Sequence, residues 1–93
     1  MANEVIDDGT ANGNSDASWA GGDGYLVCKG TFDGATVVVV GITESDGVEI
    51  PFEKEATFRE NRAVQFSFPA GTLRGKLSGV GSSTSVSLFA IAK

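Results

Sequence analysis

From Trp19 to the C-terminus, apolar residues return at every second position, and each such run is stopped by Gly, Pro or an Asp-Gly pair. A period of two marks a strand with one buried face, because successive side chains leave an extended backbone on opposite sides. A helix requires a period near 3.6, and this stretch leaves almost no room for one. The chain is therefore expected to be all-β: a small antiparallel β-sandwich or barrel of six to eight strands, with turn signals spaced roughly ten residues apart. Its 93 residues suffice for one domain. Thirteen glycines, and more Val and Ile than Leu, fit strands joined by tight turns.

The runs can be placed individually. Residues 25–32 put Leu26, Cys28, Gly30 and Phe32 on one face. Asp33-Gly34 follows, the dipeptide that supplies positive φ in a two-residue hairpin turn. Residues 35–42 contain four consecutive valines, so both faces are apolar. Such a strand is central and covered on both sides, or it lies in a subunit interface. In residues 48–52, Val48, Ile50 and Phe52 are expected inward and Glu49 outward, with Pro51 holding the strand at an edge. Ala56 and Phe58 are candidate anchors of a short charged segment. Val64, Phe66 and Phe68 are expected inward from residues 63–68. Residues 72–80 set Leu73, Gly75 and Leu77 against Arg74 and Lys76. The last strand, residues 84–92, is apolar on both faces near its end. It should be paired on both sides or lie at a contact.

Charge divides the chain differently. Residues 1–23 carry Glu4, Asp7, Asp8, Asp16 and Asp23 and no Lys or Arg, whereas residues 24–93 hold seven acids and seven bases. The expected organisation is an extended acidic N-terminal arm over residues 1–18, flexible or ordered by a partner, ahead of a sandwich domain over residues 19–93. Val5 and Ile6 would anchor the arm on a partner, with Asp7 and Asp8 steering it and Trp19 as a further contact. Arg74 and Lys76 form the main basic grouping. They are either a solvated strand face or a docking patch for an acidic surface, such as the arm of a neighbouring copy. An acidic arm on a neutral body argues against nucleic acid as a partner.

Little here suggests chemistry. Histidine is absent, which removes the commonest general base and metal ligand. Cys28 stands alone and alternates onto the inward face. The Asp7, Asp8, Asp16 and Asp23 spacing does not follow a calcium-loop pattern, and Gly21-Gly22-Asp23-Gly24 lacks the Lys-Ser/Thr of a phosphate loop. Glu53 and Glu55 are expected as exposed charges on an edge. We expect no catalytic residue, no cofactor and no metal. No apolar run approaches the ~18 residues of a membrane span, so no membrane partner is expected.

Two stretches carry a resemblance: GTFDGATVVVV at residues 30–40 and PAGTLRGKLSGVGSSTSVSLFAIAK at residues 69–93. They resemble small β proteins of tailed-bacteriophage structural gene clusters, most closely capsid decoration (cement) proteins. The resemblance covers roughly residues 24–93 and leaves the N-terminal segment outside. It implies a virion protein made in the host bacterial cytoplasm that sits on the capsid surface. Its partners would be the major capsid protein and other copies of itself, commonly as trimers. A phage tail, head-fibre or neck component is the alternative within that class. A carbohydrate-binding or adhesive β module is the alternative outside it, with Trp19 and Tyr25 as the aromatic platform.

Overall fold

Alternation becomes strand almost wherever the sequence shows it, and also in the acidic segment where it does not. The computed structural model describes residues 2–43, 47–52 and 56–93, with backbone alone for Ala2, Asn3 and Asp8. These residues contain no helix. In chain order the strands are β1 (Ala2–Gly9), β2 (Gly13–Trp19), β3 (Gly22–Thr31), β4 (Thr36–Ile42), β5 (Ile50–Pro51), β6 (Thr57–Phe58), β7 (Arg62–Phe68), β8 (Gly71–Ser78) and β9 (Ser85–Ala92). One sheet runs β1-β9-β3-β7 and the other β2-β8-β4-β5, with β6 also on β4. All pairings are antiparallel. The protein is a small all-β sandwich.

The core fills the space between the sheets. Leu26 and Cys28 of β3, Leu73 and Leu77 of β8, and Val86 and Leu88 of β9 are buried, as the alternation predicts, and Val37 and Val39 of β4 are the inward members of the valine run. Ala56, Phe58, Phe66 and Phe68 join them. The valine run does form a central strand, with β8 on one side and β5 and β6 on the other. Val38 is half-buried on its outer face and Val40 and Ile42 are buried there. β9 is likewise paired on both sides, by β1 and β3.

The expected N-terminal arm is instead part of the sandwich. β1 pairs with β9 and β2 with β8, so the acidic segment lays one strand on the edge of each sheet. The register of β1 shifts between Glu4 and Ile6, where two steps on β1 match one step from Phe89 to Leu88. That β-bulge turns two consecutive side chains the same way, so Val5 and Ile6 are both buried, at 4% exposure each. An adjacent branched pair does not fit a period of two, which is why the segment reads as tail from sequence.

The Asp33-Gly34 turn forms, yet it does not make a hairpin. Asp33 (φ 48°) and Gly34 (φ 85°) are both left-handed, and the Ala35 N–H donates to the Phe32 carbonyl at 2.9 Å. The strands it joins, β3 and β4, belong to opposite sheets. The turn is thus the corner of an arch, further held by Ser83 N–H donating to Asp33 Oδ2 at 3.0 Å and Thr84 Oγ1 donating to the Phe32 carbonyl at 2.8 Å.

Val48 and Ile50 also depart from expectation: they are exposed, at 58% and 39%. Only Ile50 and Pro51 pair with β4, too short a ladder to impose alternation on the segment. Phe52 does turn inward, its ring centroid 5.4 Å from that of Phe66 and 5.2 Å from that of Phe68. The expected edge charges Glu53 and Glu55 lie outside the described residues.

Candidate functional site

Arg74 and Lys76 project from the outer face of β8, two residues apart, where alternation places them. Register sets Asp16 of β2 directly beside Arg74, and Val40 of β4 on its other side. Arg74 Nε donates to Asp16 Oδ1 at 2.8 Å and Nη2 donates to Oδ2 at 3.1 Å, a two-point fork that suits a planar guanidinium and a carboxylate. Its Nη1 donates to Glu49 Oε2 at 3.1 Å, and the Lys76 ammonium donates to Glu49 Oε1. Two acids and two bases thereby form one neutral ladder across the sheet.

Hydrogen bonding shifts Asp16, Glu49 and Arg74 toward their charged forms. Arg74 holds the Asp16 carboxyl below its ordinary value. Lys76, and then Arg74, do the same for Glu49. The guanidinium is pushed upward by Asp16 and Glu49 in turn. Asp16 and Glu49 are therefore held ionised near pH 7.

The basic pair is therefore occupied within its own chain, in part by the acidic segment. A tethered carboxylate has a far higher effective concentration than one from a neighbouring copy. Glu49 was legible as an outward residue; its partnership was not, because it depends on which strands adjoin. Of the other expected contact residues, Val5, Ile6 and Trp19 are buried in the core, Asp7 is exposed, and the Asp8 side chain lies outside the described part. Trp19 Nε1–H donates to the Phe68 carbonyl at 3.1 Å, and its ring lies 4.8 Å from that of Phe66. That placement removes Trp19 from an aromatic binding platform. Tyr25 remains on the surface, 38% exposed.

Apart from the exposed Val48 and Ile50, a cluster of apolar side chains lies on the outer face of the four-stranded sheet. There Val27 lies between Phe89 and Ala63, and Tyr25 between Ile91 and Gln65. Val27, Phe89 and Ile91 are half-buried. The Lys29 ammonium sits 5.5 Å from the centre of the Phe89 ring, over one corner of this face.

The other candidate groups of the sequence lie apart or buried among the described residues. Asp7, Asp16 and Asp23 stand on three different strands, and no three His, Cys, Asp or Glu residues come together there as metal ligands. Burial pushes the Cys28 thiol up to about 11, which keeps it protonated and unreactive. No family model, no curated protein and no solved structure matches this chain.

Proposed function

We propose that this chain is a non-enzymatic structural component of a tailed-bacteriophage virion that binds the outside of the capsid and stabilises it. Its partners are the major capsid protein and further copies of itself. One observation carries the reading: the two stretches that resemble phage decoration proteins fold onto each other. Residues 30–40 supply the arch whose Phe32 and Asp33 accept hydrogen bonds from Thr84 and Ser83 of the second stretch. Strand β4 of the first then pairs along its whole length with β8 of the second. Both stretches thus lie at the centre of the sandwich. A module with both N-terminal strands tied down also suits a protein that must resist deformation on a lattice.

With Val5, Ile6 and Trp19 in the core, attachment falls to the body of the domain. The Tyr25, Val27, Phe89 and Ile91 face is the surface this reading assigns to the capsid. The adhesive alternative keeps only Tyr25 of its two aromatics. Co-sedimentation with undecorated capsids, assembled from the major capsid protein of the same gene cluster, tests the reading. The wild-type chain should pellet with capsids and raise their disruption temperature, and Tyr25→Asp should abolish both while staying folded. Failure of the wild-type chain to bind capsids, or binding to tails or glycans in their place, would overturn it.

A further inference from the structure

Every open sandwich must manage four sheet edges, since an unpaired edge is a template for another strand. Here three of the four are blunted. The β1 edge is bulged twice and carries the exposed Glu4 and Asp7. The β2 edge lies beside β1 where the sheets meet, and its central side chain, Asp16, is held in the ladder to Arg74. The β5 and β6 edge contains Pro51 and is broken: β4 advances from Val38 to Val40 while its partner strand spans Thr57 back to Pro51.

The fourth edge has none of these devices. β7 pairs with β3 over seven consecutive residues without a register shift. It has no Pro, Gly, Asp, Glu or Lys. Its single charge, Arg62, is drawn back across the sandwich: Nη2 donates to the Thr57 carbonyl at 3.1 Å, and the guanidinium lies 5.4 Å from the Phe58 ring centre. Beyond β7 the described residues provide no further strand in that sheet.

We propose that β7 is a self-association edge, pairing antiparallel with β7 of a second copy about a two-fold axis to make one continuous eight-stranded sheet. The partner must be the same strand, because the other edges are blunted and a head-to-tail contact has no second open edge to use. The sequence is compatible with self-pairing. With Gln65 on the axis, Arg62 faces Phe68, Ala63 faces Ser67 and Val64 faces Phe66, so no like charges meet. The exposed Ala63, Gln65 and Ser67 are small or amide-bearing and can approach closely. The contact is a ladder of backbone hydrogen bonds with modest side-chain area, so the dimer should be weak and concentration-dependent. This inference stands on edge geometry alone and does not require a capsid.

Sedimentation equilibrium of the full chain, over roughly 5 to 500 µM, brackets the affinity of so small an interface. The wild-type chain should pass from monomer to dimer, with the amides of residues 62–68 gaining hydrogen-exchange protection as it does. Gln65→Lys places two ammonium groups across the axis and should weaken dimerisation by about tenfold or more without lowering the unfolding midpoint. Ala63→Lys/Ser67→Lys should do the same, and Ala63→Lys/Ser67→Glu should restore the dimer through two opposite-charge pairs. A wild-type chain that stays monomeric, or forms a trimer, overturns the proposal. So does a dimer that ignores both lysine variants, since its interface then lies elsewhere.

Discussion

Ile6 lies across Gly75. A methyl group on Gly75 would come 2.9 Å from Ile6 Cδ1 and 3.0 Å from Leu88 Cδ2, so a glycine in β8 makes the hollow that the bulged strand β1 fills. Both residues face the core from opposite sheets, and the contact is what converts an acidic tail into a structural strand. Gly75→Ala should destabilise the fold by about 1–3 kcal/mol through overpacking. Ile6→Ala should destabilise it by about 2–5 kcal/mol through lost burial and a cavity. Combined, the two should cost clearly less than their sum, because the new methyl occupies the space Ile6 vacates. Urea unfolding of the four proteins reads the coupling, and strict additivity would show that the residues do not touch.

Trp19 gives an optical handle on the same region. Its indole is buried, packed on Phe66 and hydrogen-bonded to the Phe68 carbonyl, so its emission should be blue-shifted in the native protein and move to the red on unfolding. Trp19→Phe leaves that carbonyl without its donor and should destabilise by about 1–3 kcal/mol. Phe66→Ala should destabilise by about 3–5 kcal/mol. Native emission already at the wavelength of free tryptophan would contradict this placement.

The charge ladder predicts a specific acid sensitivity. Hydrogen bonds to Arg74 hold Asp16 below its ordinary 3.8, and bonds to Lys76 and Arg74 hold Glu49 below 4.5. A carboxyl whose folded value is depressed stabilises the fold at every pH above the unfolded value. That stabilisation is lost as pH falls through about 4.5 toward the folded values. Arg74→Gln removes a donor from both acids, so its penalty in melting temperature should be largest near neutrality and shrink toward about pH 3. A penalty independent of pH would mean the ion pairs contribute nothing and only packing over Val40 was lost. These pairs are partly exposed, so the effect should be modest and salt-sensitive.

Cys28 should be chemically silent. It is fully buried and its thiol is pushed up to about 11, so the thiolate population at neutral pH is minor and shielded. A disulfide reagent such as DTNB should not react with the native protein on a timescale shorter than unfolding, and should titrate one thiol in denaturant. Rapid reaction of the native chain would place Cys28 at the surface.

Much of the sandwich was legible because its inward residues obey a strict period: Leu26 and Cys28, Leu73 and Leu77, Val86 and Leu88. The parts that were not legible share a cause. Val5 and Ile6 sit at a bulge, which breaks the alternation that identifies a strand. Asp33-Gly34 fixes a turn's dihedral angles but says nothing of whether the flanking strands pair with each other or with distant ones. Arg74 and Lys76 were identifiable as an outward basic pair. Asp16 and Glu49, 58 and 25 residues from Arg74 in sequence, become their partners through strand order alone. Alternation sets Gly75 on the inward face and Gly41 within a strand, but it does not reveal that they make the hollows filled by Ile6 and Phe68.

Residues 2–19 form two strands of the molecule's own sandwich, on β9 and β8. Native-state hydrogen exchange on the isolated chain, under dilute monomeric conditions, measures this directly. Amides of β1 and β2 that pair with β9 and β8 should exchange far more slowly than an unstructured peptide, and Ile6→Asp should release the protection of both strands together. Exchange of residues 2–19 at the unstructured rate in wild-type protein, with residues 22–92 still protected, would contradict it. The N-terminal segment would then be an arm awaiting a partner.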